Sequence, residues 1–134
     1  MKWRPATITK TGQIRKAIRV GNVNHYTMKK YLIKGTYTAD GTKGLLQEGG
    51  VGRKNAVGKM LADMGGKVEA FYFAFGEDDV ILIIELPDDI SAAAVALRVN
   101  AANMVRISMT VLISPEDVDE ATKKTVSYRA PGAK

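Results

Sequence analysis

Residues 68–86 read VEAFYFAFGEDDVILIIEL, two apolar runs separated by a short acidic stretch. Residues 68–75 and 80–86 predict two β-strands, because each run is short and rich in β-branched and aromatic side chains. Residues 76–79 between them predict a hairpin turn, since glycine and aspartate favour turn conformations. An antiparallel strand with one wet face alternates apolar and polar residues, and these strands do not. Both faces of the hairpin therefore need cover, which predicts contact with a second sheet.

The segment before the hairpin predicts one strand and one interrupted helix. Residues 30–37 alternate as a strand does, and residues 42–64 place apolar side chains at helical spacing. Glycines within a helix cost about 1 kcal/mol each relative to alanine, so we expect the first part of this helix to be broken. The glycines concerned are Gly49, Gly50 and Gly52. Gly65 and Gly66 predict the end of the helix, because glycine adopts the left-handed conformation of a helix cap.

The segment after the hairpin predicts a helix, a strand and a short final helix. Asp88 or Asp89 can cap a helix over residues 90–102. Residues 104–113 alternate as a strand does. Ser114, followed by proline and two acids, predicts the start of a helix that runs to about residue 125. Residues 127–134 remain as a tail.

The element order is therefore β-α-β-β-α-β with a C-terminal helix, an α+β class. This order is that of the ferredoxin-like arrangement, a four-stranded antiparallel sheet with both helices on one face. We expect one domain over residues 28–126. Because the helices cover one face only, the apolar hairpin predicts a homo-oligomer whose basic unit is a dimer, with the open faces of two sheets in contact.

Composition excludes several classes of site. The 134 residues hold 46% apolar and 25% charged residues, with no apolar run near the roughly 20 residues that cross a bilayer. There is no cysteine and one histidine, His25, so thiolate sites and nucleophilic triads are excluded from the domain. We expect a cytoplasmic protein without a membrane span, and no metal or cofactor.

The net charge of +6 comes from the first 27 residues, which carry six basic residues and no acid. Residues 28–134 carry fourteen of each sign, which argues against a nucleic-acid surface on the domain. We expect residues 1–27 to be a disordered extension, with Met28 as a candidate for the natural first residue. The alternatives are a basic arm that binds nucleic acid or anionic lipid, and a targeting segment.

Three stretches in the same order resemble the GYD-domain family of small bacterial proteins. They are GTYTADGTKGLLQEGGVGRKNAV (35–57), GGKVEAFYFAFGEDDVILIIELPDD (65–89) and AVALRVNAANMVRISMTVLISPEDVDEATKKTVSYRAPGA (94–133). The resemblance implies a ferredoxin-like subunit of the dimeric α/β-barrel kind, and no particular reaction. The Gly-Tyr-Asp signature matches Gly76, Asp78 and Asp79, so an aspartate stands where the family has tyrosine.

The acidic turn is best explained as a solvated tip. Glu77 and Asp78 are adjacent and lack the alternate spacing of a cation-binding loop, so no metal site is expected. Asp79 abuts the second strand, where its carboxylate can point toward the mouth of a barrel.

Residues 49–54, GGVGRK, resemble a phosphate loop but lack the last glycine of G-x-G-x-x-G. A flexible loop at this position can instead gate a pocket.

Six side chains on or beside the strands are candidates for ligand binding or acid–base chemistry. Tyr31, Tyr37, Tyr72, Asp79 and Arg106 are the candidate ligand-binding residues, and Asp79, Glu85 and Arg106 are the catalytic candidates. The structural alternative is that the tyrosines belong to the core and that Glu85 and Arg106 form a cross-strand ion pair.

These residues favour a small-molecule-binding module whose pocket lies between paired sheets and takes a small apolar or aromatic molecule. The alternative is a cofactor-independent oxygenase or isomerase of the dimeric α/β-barrel kind, which rests on analogy of fold. A third class is association with nucleic acid or membrane through the basic extension.

Overall fold

The computed structural model describes residues 28–134, and the basic extension with His25 lies outside that range. The described residues form four strands and three helices. In chain order these are β1 (Lys29–Tyr37), α1 (Ala39–Asp63), β2 (Lys67–Phe73), β3 (Val80–Leu86), α2 (Asp89–Ala102), β4 (Val105–Leu112) and α3 (Pro115–Thr122). The predicted α+β class and its antiparallel sheet are confirmed.

The sheet has the strand order β2-β3-β1-β4, and every neighbouring pair is antiparallel. β1 is therefore central, and Ile33 lies opposite Leu82 of β3 and Met109 of β4. A bulge between Val68 and Ala70 shifts the register at the start of β2. β2 and β4 form the two edges.

The hairpin closes earlier than its apolar pattern predicts. β2 ends at Phe73, and Phe75 adopts a left-handed conformation with φ of 53°. The Ala74 N–H donates to the Asp79 carbonyl at 2.8 Å, which closes the turn. Phe75 thus belongs to the turn and is 67% exposed, because a left-handed residue cannot continue a strand.

Helix α1 begins at a threonine cap and bends at a glycine. The Thr38 hydroxyl accepts a hydrogen bond from the Gly41 N–H at 3.0 Å. The backbone leaves helical geometry at Gly49, with φ of 82° and ψ of 165°, so the predicted interruption is confirmed there. Gly65 ends the helix with φ of 83°, as its sequence predicts.

The two later helices begin where the capping residues predict. The Asp88 carboxylate accepts a hydrogen bond from the Ser91 N–H at 2.8 Å at the start of α2. The Ser114 hydroxyl accepts one from the Asp117 N–H at 3.0 Å, with Pro115 in the first turn of α3. α3 ends at Thr122, three residues before the predicted end, and buries no residue.

The core lies between the sheet and the helices α1 and α2. Its buried members are Tyr31, Ile33, Leu61, Val80, Leu82, Ile84, Leu86, Ala92 and Val95. Buried and half-buried residues alternate along β3, so all four of its even-numbered side chains face the helices. Burying an aliphatic side chain contributes about 1.5–3 kcal/mol, so this single cluster stabilises the fold.

The opposite face of the sheet is open in the described part of the chain. Its central side chains are Leu32, Ile81 and Ile83, which neighbouring side chains cover only partly. Tyr72 lies opposite Ile81 and is 71% exposed. An apolar centre on an open sheet face is typical of a surface that pairs with another protein surface.

Candidate functional site

A pocket of about 300 Å³ lies between the sheet and the helices α1 and α2. Strand residues such as Ile33, Leu82 and Ile107 line it, together with Val57 of α1 and Val99 of α2. The helices contribute small residues to its lining, among them Gly44 and Ala102. Large side chains there would fill the cavity and complete the core.

Three polar residues line this otherwise mostly apolar pocket, namely Tyr37, Glu48 and Arg53. Arg53 Nη1 lies 3.5 Å from Glu48 Oε1, a loose ion pair with side chains 37% and 32% exposed. Gly49 bends α1 between these two residues, so the glutamate belongs to one half of the helix and the arginine to the other. The kink therefore sits at the polar end of the pocket.

Arg53 Nε is buried and has no hydrogen-bond partner among residues 28–134. A guanidinium has five N–H donors in a fixed fork, so one end can meet Glu48 while another is unpaired. Leaving a buried donor unpaired costs about 1–3 kcal/mol, so this nitrogen carries an energetic penalty in the fold.

The Tyr37 phenol is held in its neutral form. Burial raises the pKa of Tyr37, Glu48 and Asp79 add to the increase, and Arg53 opposes it. Within residues 28–134 the hydroxyl has no hydrogen-bond partner, so its proton is available to an acceptor in the pocket. Of the six residues that the sequence singles out, only Tyr37 lines this pocket.

Tyr31 lies in the core, where its hydroxyl joins β1 to the start of α2. It is 1% exposed and donates a hydrogen bond to Asp89 Oδ1 at 2.6 Å. Burial and this hydrogen bond raise the pKa of Tyr31. Because its hydroxyl already has a partner, its geometry matches the structural alternative.

The Asp79 carboxylate forms a hydrogen bond at the junction of β1 and the hairpin. Asp79 Oδ2 accepts a hydrogen bond from the Tyr37 backbone N–H at 2.9 Å, and the Asp79 N–H donates to the Gly35 carbonyl at 2.8 Å. The side chain does not line the pocket, although its charge acts on the Tyr37 phenol.

Tyr72, Glu85 and Arg106 lie on the open face of the sheet, away from the pocket. The Lys30 ammonium donates to Glu85 Oε2 at 3.1 Å, and it also contacts Glu69. The ion pair that the sequence suggested between Glu85 and Arg106 is wrong, because β1 separates β3 from β4. Glu85 lies opposite Lys30 and Arg106 opposite Thr36, positions about 20 Å apart along a strand.

Sequence reasoning missed Glu48 and Arg53 as site residues. Glu48 directly precedes the glycine stretch of residues 49–54 and Arg53 lies within it. The sequence predicted for that stretch a helix break, an imperfect phosphate loop or a flexible gate, and no role for either charged side chain. The sequence feature that could have identified them is a charged residue on each side of a helix-breaking glycine. A kink in a helix that packs on a sheet brings the two halves of that helix around one space. Their convergence on Tyr37 depends on the packing of α1 against the sheet.

Residues 28–134 bring together no group of three acidic or histidine side chains that could hold a metal ion. None of the helices within that range is long and apolar enough to cross a membrane.

A family model described as GYD domain matches residues 31–122. The match runs from β1 to the last residue of α3 and includes the whole pocket. No curated protein and no solved structure matches the chain.

Proposed function

The chain belongs to the GYD-domain family, and we propose that it is an oligomeric module that binds a small apolar or aromatic molecule. The observation that carries the proposal is the pocket of about 300 Å³ between the sheet and its helices. Small-molecule sites are concave, mostly apolar and equipped with a few polar groups that orient the ligand. Ile33, Leu82 and Val99 supply the apolar wall, and Tyr37 and Arg53 supply the polar groups.

The site we propose lies on the helix side of the sheet, whereas the sequence suggested a pocket between paired sheets. The two locations use different residues, since Tyr72 and Arg106 lie on the open face. In our proposal the open face serves assembly, and the helix side binds the ligand.

The assembly we propose is a dimer of ferredoxin-like subunits, of the dimeric α/β-barrel type, with the open faces in contact. Leu32, Ile81 and Ile83 form an apolar centre on this face, and Tyr72 beside them is 71% exposed. Lys30, Glu69 and Glu85 form a charged cluster toward one end. An apolar centre with a polar rim and an exposed tyrosine is typical of protein interfaces.

The pocket is tested by titrating the full chain with N-phenyl-1-naphthylamine, a neutral probe that fluoresces in apolar sites. Ala102 is exposed at the pocket, and Ala101 is exposed beside it without lining it. We expect saturable binding that A102F weakens about tenfold or more by filling the space, and that A101F leaves within about twofold.

Tyr72→Ala distinguishes the two locations. Binding that survives A102F and is abolished by Tyr72→Ala would place the ligand between paired sheets. The absence of saturable binding to the unaltered chain would reject the binding function itself.

The second candidate function is an enzyme. One observation favours an isomerase over an oxygenase. A carboxylate residue, Glu48, lines the same pocket as two residues with hydrogen-bond donors, Tyr37 and Arg53. Proton transfer at a carbon acid needs only a base and a donor to the developing oxyanion. In that step the Glu48 carboxylate would take a proton from carbon and return it to a neighbouring carbon.

The isomerase candidate is tested by hydrogen–deuterium exchange of a ketone's α-protons, followed by NMR in deuterated buffer. We expect E48Q to abolish any exchange above the buffer rate and E77Q, at the exposed hairpin tip, to leave it unchanged. Exchange that persists in E48Q would remove Glu48 as the base.

A further inference from the structure

Strand β4 forms one edge of the sheet, and the backbone groups on its outer side are only partly paired. The Ile107 N–H donates to Asn100 Oδ1 at 2.8 Å, and the Ile107 carbonyl accepts from Asn100 Nδ2 at 3.3 Å. Ile107 therefore directs its backbone groups away from β1. Residues of an antiparallel strand alternate in this direction, so the later odd-numbered residues also direct their groups outward, namely Met109, Val111 and Ile113. Within residues 28–134 no hydrogen bond reaches these outward groups.

The unpaired part of this edge, residues 109–113, lacks the features that normally prevent strand pairing. Its sequence, MTVLI, contains no charge, proline or glycine. The other edge strand, β2, has a bulge between Val68 and Ala70, and its first turn of chain carries the charged residues Lys67 and Glu69. Natural sheets protect their edges with such bulges and charges, because an open edge pairs with other chains. By this criterion β2 is protected and residues 109–113 are not.

The side chains at this edge form an exposed apolar row. Val111 and Ile113 lie on the helix-facing side of the sheet, where Ile107 and Met109 pack against the core. The helices do not cover them, because Val111 is 52% exposed and Ile113 is 67% exposed. Apolar side chains beside unpaired backbone groups suit an added strand, which supplies hydrogen bonds and apolar cross-strand neighbours together.

We infer that residues 109–113 pair antiparallel with the same residues of a second copy, about a two-fold axis at Val111. Val111 of the two copies then lie opposite each other, and Met109 of each copy lies opposite Ile113 of the other. All three residues exchange backbone hydrogen bonds across the axis, and their side chains cover one another. This inference goes beyond the proposed binding function and does not depend on it.

The register about Val111 matches the limits of the free edge. The next outward position, Ile107 of one copy, would lie opposite Pro115 of the other. The Ile107 groups are already bonded to Asn100, and Pro115 has no N–H and begins α3. An axis at Met109 would need the Ile107 groups, and an axis at Ile113 would need the N–H that Pro115 lacks. Only the axis at Val111 uses every free outward group of residues 109–113.

The charges at the ends of the paired segment are complementary. Beyond the last pair, Arg106 of one copy approaches the first turn of α3 in the other copy, which carries Glu116 and Asp117. Arg106 is exposed and forms no ion pair with any residue of the described range. The two-fold axis produces this contact at both ends. The agreement of register and charge favours a second copy of this chain as the occupant of the edge.

The edge contact and the proposed contact between open faces lie on different sides of the subunit. The axis of the face contact runs parallel to the sheets, and the axis of the edge contact runs perpendicular to them. Two perpendicular two-fold axes generate a closed tetramer. The tetramer uses the edge contact twice, so dimers join at concentrations at which single subunits do not.

The test uses two variants of the full chain, Val111→Lys and Val111→Glu, in sedimentation velocity. Either variant alone places like charges opposite each other at the axis, so we expect the association of dimers to weaken about tenfold or more. An equal mixture of the two variants should restore the tetramer, because opposite charges then meet at each axis. Restoration would also show that both variants fold. Val126→Lys and Val126→Glu, at a 76% exposed position of the tail, are the matched controls and should assemble like the unaltered chain.

The outcomes separate the edge contact from the face contact. The inference is overturned by tetramers of Val111→Lys and Val111→Glu that are as stable as those of the unaltered chain. It is also overturned by an unaltered chain that forms no more than a dimer which Ile83→Lys, at the centre of the open face, dissociates. A mixture that fails to restore the tetramer would overturn the axis at Val111. A dimer that Val111→Lys dissociates and Ile83→Lys does not would retain the edge contact and reject the contact between open faces.

Discussion

The Asp79 carboxylate accepts a hydrogen bond from the backbone N–H of Tyr37 at 2.9 Å, where β1 leaves the sheet. The strand ladder between β1 and β3 ends at Gly35 and Val80, so a side-chain oxygen replaces the backbone carbonyl that the next pair would supply. The hydrogen bond fixes the residue that carries one of the pocket's donors. The aspartate matched by resemblance to the end of the family signature therefore has a structural role in this chain.

Asp79→Ala is expected to destabilise the domain by about 1–2 kcal/mol, because a half-buried backbone donor loses a charged acceptor. Asp79→Asn, which keeps an oxygen in place, should lose less. The free energy of unfolding from chemical denaturation measures both. Glu77→Ala, at the exposed tip of the same turn, should change it by less than about 0.5 kcal/mol. Equal losses for Asp79→Ala and Glu77→Ala would contradict the role of the hydrogen bond.

The contact of Tyr31 with Asp89 predicts a dependence of stability on acid pH. The hydrogen bond from Tyr31, followed by that from Lys29, lowers the pKa of Asp89 below its ordinary value of 3.8. A lowered folded-state pKa stabilises the fold above the unfolded value, and that stabilisation is lost as pH falls through the folded value. The loss should therefore begin near pH 4 and continue below it.

Tyr31→Phe isolates this effect from the titration of the other acids. We expect the thermal midpoint of Tyr31→Phe to lie below that of the unaltered chain at pH 6, and the difference to shrink by pH 2.5. Differential scanning calorimetry over this range measures the difference. A difference that stays constant with pH would show that the hydroxyl acts without Asp89.

Two glycines of α1 predict opposite responses to alanine. A Cβ at Gly41 would lie 1.7 Å from the Met104 carbonyl oxygen, so Gly41→Ala should cost about 3 kcal/mol or more. A Cβ at Gly58 would meet nothing within 4 Å, and alanine suits a helix better than glycine. Gly58→Ala should therefore stabilise the domain by about 0.5–1 kcal/mol. Urea denaturation of the two variants measures both, and a Gly41→Ala variant as stable as the unaltered chain would refute the packing of α1 against Met104.

The open face predicts a self-association that a single charge disrupts. Ile83 lies between Leu32 and Ala70 at the centre of this face. Ile83→Lys should weaken the dimer about a hundredfold or more, because an unpaired charge would be buried in each copy. Sedimentation velocity measures the effect, with circular dichroism as the check on folding. Ile90→Lys, at an 82% exposed position of α2, should leave assembly unchanged. A folded monomer at all concentrations of the unaltered chain would reject the proposed dimer.

Local features were predictable because their causes are local. The limits of β3, the caps Asp88 and Ser114, and the helix end at Gly65 follow from side chains acting on neighbouring backbone. The prediction for β2 ran two residues too far, since Phe75 is apolar and nothing in composition shows that its φ is positive.

The candidate site was only partly predictable, because it depends on which strands are neighbours. Tyr37 was identified, whereas Glu48 and Arg53 were not, since they become a site only when α1 bends over the sheet. Glu85 and Arg106 were paired wrongly because the sequence does not place β1 between their strands.

The sequence by itself determined the family, the α+β class, the order of the elements and the apolar character of both faces of the hairpin. These depend on periodicity and capping, which act over a few residues. Only the tertiary structure decided which face holds the pocket and which charges meet there. That outcome depends on contacts between residues far apart in the chain, where small side chains of α1 and α2 leave space against the strands.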